Sequence, residues 1–371
     1  MPGYMWGPSG GYRVVYEYAN QLVARGHQIS VVHPRRLASP QVSRPTLRQH
    51  ARKLRLTLRE LISSPTIYWH SMDPRVQLLY VPSLQNRYIP DGEVVFATAW
   101  NTAKPVMRCS KVKGEKAYLI QSYETWMGPK ELVDETWRMP LRKVVISKWL
   151  LNLGKTLGAR TSVYIPNGLD HDHYRVLQPI AQRPRQVVMV LSHVPLKGSK
   201  EGIAALELVK KQFPDLRAVL FGNSYRPAWV PAWMHYRTDP PQQEIVEQFY
   251  NSSSIMLSPS WTEGFGLPGV EAACCGCAIA ATDNDGHREY VEHGVTGLLS
   301  PPKDPEGLAR NLCTLLANDD LRIRLAHAAN AFVQRYNWRH STDLMEAFLT
   351  EAAKRKHVAR QGASAFEVSA A

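Results

Sequence analysis

SIMLSPSWTEGFGLPGVEAACCGCAIAAT, residues 254–282, reads as strand, glycine-rich loop, helix and strand in succession. Ser254 to Leu257 is an apolar run, Pro268 suits the first position of a helix, and CAIAAT (277–282) is a second apolar run. Gly264 and Gly266 let the backbone approach a ligand closely. The helix start behind them offers free amide donors and the positive end of a dipole, which favours a phosphate. Glu263 and Glu271 frame the loop eight positions apart, and each carboxylate can accept hydrogen bonds from two neighbouring hydroxyls. The segment therefore suits a ligand with diols on either side of its phosphates, the shape of a nucleotide sugar. A glycine-rich strand–loop–helix is common by itself, so its surroundings decide how it is read.

Those surroundings alternate strand and helix along the whole chain. Residues 11–25 predict a helix stopped by Gly26, and 28–33 a short strand. Residues 46–62 place leucines on one face of a helix and Arg48, Arg52, Arg55 and Arg59 on the other. Strands are predicted near 76–81, 94–97, 116–120, 143–146 and 162–165, then at 187–192 and 217–222, with a linker at 177–186. Helices follow near 241–250, 305–317 and 320–335. The pattern predicts doubly wound α/β architecture. It gives an N-terminal domain over 1–178, a C-terminal domain over 179–337, a last helix at 338–354 and a tail at 355–371.

At 371 residues the chain is long enough for two cores, and no apolar run approaches the ~18 residues of a membrane span. The net charge of +13 is unevenly placed. Residues 1–178 hold 25 Lys and Arg against 12 Asp and Glu, whereas the remainder holds 20 of each. That asymmetry points to an anionic ligand or surface facing the first half. The basic stretch lacks interleaved aromatics and a nucleic-acid motif, so no nucleic-acid partner is expected. Of the five cysteines, Cys274 and Cys277 form a lone CxxC without a second pair, which reads as reduced cytosolic thiols, not a metal site.

With GGYRVVYEYANQLVARGH (10–27), YLIQSYETW (118–126), IPNGLD (165–170) and GHREYVEHGVTGLLSPPKDPEGLA (286–309), the sequence resembles family 4 glycosyltransferases of the GT-B fold. The resemblance implies two Rossmann-like domains facing a cleft, with the helix from Trp338 crossing back to the first. It implies Glu271 on the ribose hydroxyls, Glu263 on the transferred sugar, and backbone amides of Gly264, Phe265, Gly266 and Leu267 on phosphate and sugar oxygens. Lys197 matches the lysine that neutralises the donor diphosphate. An arginine five residues earlier is usual in the family; here Ser192 stands there, followed by His193, so either His193 substitutes as a donor or the one lysine does the work. Gly10 and Gly11 fall where the backbone nears the donor phosphate or the acceptor. Many relatives carry a histidine near 121–124; this chain has Gln121, Ser122, Tyr123 and Glu124, and Glu124 is the candidate general base.

The expectation is a glycosyltransferase with a nucleotide-sugar donor and a saccharide or lipid-linked acceptor. The resemblance implies retention of configuration, and no cofactor or metal is expected. Asp170/Asp172 and Asp283/Asp285 spell DxD, but in contexts that do not favour a metal. The alternatives are an epimerase on the same fold, or a non-catalytic nucleotide-sugar or polyanion binder. The location expected is cytoplasmic, with 46–62 as a candidate contact to an anionic inner membrane face. Relatives begin with an apolar strand before the loop at 2–11, which Met1–Tyr4 cannot supply. The first strand of the N-terminal domain is therefore expected to be missing, the sequence starting inside that domain.

Overall fold

The structure, a computed structural model, describes residues 1–3, 7–35, 37 and 67–368, with side chains through 354. The helix expected at 46–62 lies outside the described residues. Two compact units emerge, and neither is a continuous stretch of chain. The first comprises Met1–Val145, Leu151–Ile165 and Thr342–Ala371; the second comprises Ile146–Leu150 and Pro166–Ser341.

In the first unit the strands are β1 (Ser30–Pro34), β2 (Gln77–Val81), β3 (Val94–Ala97), β4 (Glu115–Ile120), β5 (Arg142–Val145) and β6 (Ser162–Tyr164). They form two parallel sheets, one of β1 and β2 and one ordered β3-β4-β5-β6. The chain start lies by both sheets: the Met1 amine donates to the Val32 carbonyl at 3.0 Å, and Thr98 Oγ1 donates to Met1 Sδ at 3.5 Å. Helix α1 (Gly10–Ala24) packs Tyr16, Ala19 and Val23 against Val31, Ile67 and Val76. Helix α2 (Trp100–Met107) follows β3, α3 (Lys130–Arg138) follows β4, and α4 (Lys148–Thr156), whose residues through Leu150 belong to the second unit, follows β5. The last helix begins at Trp338, and its residues from Thr342 onward belong to this unit. Arg25 ties it down through Asp343 and Glu346, each at 2.7 Å, and Phe348 packs on Phe96.

The second unit holds one parallel sheet of β7 (Gln186–Val190), β8 (Arg217–Gly222), β9 (His235–Thr238), β10 (Ile255–Ser258), β11 (Ala278–Thr282) and β12 (Leu298–Ser300). Its order, β12-β11-β10-β7-β8-β9, sets the first strand of the unit beside the fourth. Strands β10 and β11 are buried at every position, which is why they read as unbroken apolar runs. Helix α5 (Ser199–Gln212) leads from β7 toward β8. Helix α6, after β9, starts at Gln242–Glu244 and widens into a π-helical stretch at Ile245–Tyr250, a change the sequence pattern does not announce. Helix α7 (Leu267–Cys274) joins β10 to β11; α8 (Pro305–Ala317) and α9 (Asp319–Val333) close the unit. Residues 177–185 belong to this unit and are mostly exposed; they are anchored by buried Ile180 and by buried Arg183, which donates to the carbonyls of Gln178, Tyr250, Ser253 and Cys275.

Candidate functional site

Strand order in the second unit reverses between β7 and β10, and in open α/β sheets ligands bind outside the carboxyl ends of strands at such a point. Because all the strands are parallel, the loops after β7 and after β10 leave the same edge. These are the loops that carry Lys197 and Glu263.

The β7 loop runs through His193 into a short 3-10 turn, Pro195–Lys197, and then into α5. Gly198 takes φ +62°, and a Cβ there would lie 2.0 Å from the Pro259 carbonyl oxygen, so the turn can sit against the β10 loop only with glycine. Across this contact the Trp261 N–H donates to the Leu196 carbonyl at 2.8 Å. Lys197 Nζ then reaches Glu263 Oε1 at 2.7 Å. His193 is exposed in the same loop.

Glu263 is largely enclosed. Burial pushes its carboxyl up, but the Lys197 ammonium, His287, and hydrogen bonds from Lys197 and Ser260 outweigh burial and hold it below the usual carboxylate range. After it, Gly264, Phe265 and Gly266 are buried, and Gly266 caps α7 at φ +84°. Among the described residues, the N–H groups of Gly264, Phe265, Gly266 and Leu267 donate no backbone hydrogen bond. Four successive free amides at a helix start make an anion-binding concavity. The Phe265 side chain faces away from this role: it is buried against Tyr336, with ring centroids 5.0 Å apart at 83°. Glu271, one turn into α7, is 4% exposed and accepts from the Tyr250 hydroxyl at 3.2 Å.

Two features of the site escaped the sequence reading. His287 is fully buried behind the loop. Its Nδ1 donates to the Thr282 carbonyl at 2.7 Å, which leaves Nε2 to accept from the Ser258 hydroxyl at 2.9 Å. Burial pushes its imidazole down, against Glu263 and the Thr282 carbonyl, and the ring joins β10, β11 and the glutamate loop. The second is Trp149, from the stretch Ile146–Leu150, whose indole N–H donates to the Gly264 carbonyl at 2.9 Å. Nothing in the sequence around either residue signals these long-range partners.

The two DxD pairs have other employment. Asp283 takes the Arg288 guanidinium at 2.6 and 2.8 Å, and Asp285 lies 3.8 Å from it. Asp170 accepts from the N–H groups of Asp172 and His173 in its own turn. Cys274 and Cys277 are buried, their thiols pushed up to about 12 by desolvation.

In the first unit, Glu124 follows β4 and its Oε2 accepts the Trp100 N–H at 2.7 Å, at the start of α2. Burial pushes its carboxyl up to about 7, against the hydrogen bonds from Trp100 and Tyr118 that favour the charged form. Gly10 and Gly11 open α1, and the Gly11 carbonyl accepts from Gln121 Nε2 at 3.0 Å, which draws this helix start to the segment bearing Glu124. Trp126 and Met127 stand exposed just beyond Glu124.

Comparison with known proteins agrees with this architecture. Residues 170–332 match the family described as Glycosyl transferases group 1. The chain is 27% identical over 257 residues to the D-inositol 3-phosphate glycosyltransferase of Thermobispora bispora, covering 62% of this chain and 60% of that protein. It is 29% identical over 191 residues to the phosphatidyl-myo-inositol mannosyltransferase of Mycobacterium tuberculosis, covering 48% of this chain and 50% of that protein. The chain thus spans between half and 60% of the length of these curated relatives. Among solved structures, Anabaena HepE in complex with UDP-glucose superposes with a TM-score of 0.68 at 17% identity, over 94% of this chain and 97% of that one. Sucrose-phosphate synthase from Thermosynechococcus elongatus gives 0.67 at 16% identity, over 92% and 93%. These structures bear out the two-unit, Rossmann-like fold, and with the family match they bear out the resemblance to GT-B glycosyltransferases.

Proposed function

We propose that this chain, with the fold of GT-B glycosyltransferases and a group 1 glycosyl transferase match over residues 170–332, transfers a sugar from a nucleoside-diphosphate sugar to an alcohol acceptor. One observation carries the proposal: the free amides of residues 264–267, at the strand-order switch point, lie between Glu263 with its Lys197 partner and the buried Glu271. Amides and lysine suit a diphosphate, and a carboxylate on each side suits a hydroxyl pair.

In this reading Glu271 accepts from the ribose hydroxyls and Glu263 from the transferred sugar. Lys197 meets the diphosphate, with His193 as the second donor from the same loop. As the glycosidic bond lengthens, negative charge grows on the leaving diphosphate, which the amides, the α7 dipole and the lysine, once it leaves Glu263, would stabilise. Glu124, with a carboxyl that titrates near neutrality, is the candidate base on the acceptor side. Among the described residues no side chain stands out as a nucleophile, so retention by front-side departure and attack is the stereochemical reading. A metal-independent reaction fits acidic pairs that are held by Arg288 or by their own turn.

The names of the relatives point to inositol phosphate or phosphatidylinositol as the first acceptors to try. No helix among the described residues is long and apolar enough to cross a membrane. A peripheral approach to an anionic membrane through 46–62 remains part of the proposal, tested by co-sedimentation with anionic vesicles before and after reversing the four arginines.

The deciding experiment is a thermal-shift screen against UDP, GDP, dTDP and their common sugars, because a ligand that binds the native state raises its melting temperature. Transfer from the stabilising sugar nucleotide to inositol phosphate or to phosphatidylinositol vesicles is then measured with and without EDTA. If no nucleotide shifts the melting temperature, the proposal fails.

A further inference from the structure

We infer that Trp149 is a positioning residue of the donor site, holding the Gly264–Phe265 peptide so that the Phe265 N–H faces the bound phosphate or sugar. The inference rests on the donor reading above. Its physical basis is the trans peptide unit, which is planar, so a pinned carbonyl also fixes the N–H on the opposite edge. The Trp149 indole pins that carbonyl at 2.9 Å. A glycine peptide is the kind that needs pinning, since without a Cβ it reorients at little cost.

Trp149 is itself held. Its backbone N–H donates to Glu289 Oε1 at 3.1 Å, and the Lys148 N–H also donates to this carboxylate, which thereby satisfies free amides in the first turn of α4. The Glu289 carbonyl accepts from the Tyr336 hydroxyl at 2.7 Å, and the Tyr336 ring packs edge-on against Phe265. Trp149, Glu289, Tyr336 and Phe265 thus close a ring of contacts around one peptide bond, drawing on four separated parts of the sequence. None of the four side chains is required to touch the ligand. The ring fixes the direction of a backbone donor that does.

The test uses the full chain and whichever of UDP, GDP and dTDP binds the wild type in isothermal titration. Trp149→Phe keeps an aromatic ring and removes the N–H. Nucleotide affinity is expected to fall about twofold to tenfold, the range a single neutral hydrogen bond spans. Trp149→His, which restores a ring N–H, should recover part of the loss. Tyr336→Phe, which opens the ring of contacts elsewhere and retains the packing, should weaken binding in the same direction and serves alone if Trp149→Phe does not fold. A lower melting temperature with unchanged affinity in the folded variants would reduce Trp149 to a structural role and overturn the inference while leaving the donor reading intact. A wild-type chain that binds none of UDP, GDP and dTDP overturns both.

Discussion

Lys197 and Glu263 are bound to each other: the ammonium lies 2.7 Å from the carboxylate, with the lysine side chain 43% exposed and the glutamate 13%. The two groups proposed for opposite ends of a sugar diphosphate are therefore partners. In the proposed reading, phosphate oxygens would compete for the lysine and sugar hydroxyls for the glutamate, so an incoming donor would exchange one charged contact for two.

Lys197→Ala should weaken binding of a nucleoside diphosphate about tenfold or more, as expected for a charged hydrogen bond, and leave the bare nucleoside unaffected. Titration with UDP and uridine, or GDP and guanosine, separates the two. Equal losses for nucleoside and diphosphate would remove Lys197 from the phosphate. The same substitution leaves Glu263 burial less opposed, so its carboxyl should titrate higher than in the wild type.

Glu271→Ala and Glu263→Gln should fail in different assays. The first removes a ribose partner and should weaken free nucleotide about tenfold. The second should bind free nucleotide normally and lose transfer. Wild-type rates in both would dismiss the pair.

Glu124 sets a pH dependence of two kinds. As a base it acts when ionised, so transfer should rise with pH through about 7, and Glu124→Gln should abolish most of the rate along with that rise. Stability should run the other way. A carboxyl raised from 4.5 to about 7 keeps its proton in the native state where the unfolded chain has lost it, so its contribution is present below pH 4.5 and lost as pH climbs through 7. Melting temperatures at pH 5 and pH 8 should therefore converge in Glu124→Gln relative to the wild type. An unchanged gap would show that the carboxyl is ordinary.

Gly286→Ala tests the support of the glutamate loop. A Cβ there would stand 2.5 Å from the Glu263 carbonyl oxygen and 2.6 Å from its Cβ. Overpacking of this kind costs about 1–3 kcal/mol, and the displaced Glu263 should lower transfer as well. Gly7→Ala, where an added Cβ meets nothing within 4 Å, is the matched control. A fully active, equally stable Gly286→Ala would mean that the loop relaxes freely.

What could be read in advance was contiguous. The β10–α7–β11 unit announces itself because its apolar runs, its glycines and its proline lie within 29 residues, and Glu263 and Glu271 are framed by them. Strands such as Val94–Ala97 and Arg217–Gly222 show as apolar runs for the same local reason. His287 and Trp149 were invisible because their meaning lies in distant partners. Burial leaves a histidine no periodicity, and Trp149 reads as one more apolar helix residue until its indole meets Gly264. The arrangement of β1–β2 and β3–β6 as separate sheets depends on pairing, which strand propensity does not specify. The π-helical stretch at Ile245–Tyr250 carries no proline or glycine to mark it.

The interleaving of the two units has a practical consequence for anyone dissecting the gene. A plasmid encoding only 166–341 would express the whole six-stranded sheet, both glutamates and Lys197, yet omit Ile146–Leu150 and with it Trp149. Such a fragment would leave Glu289 without the amides it caps and Gly264 without its donor. Supplying the absent pentapeptide region in trans, or grafting it by circular permutation, would ask whether those five residues act as a detachable part or as an integral one.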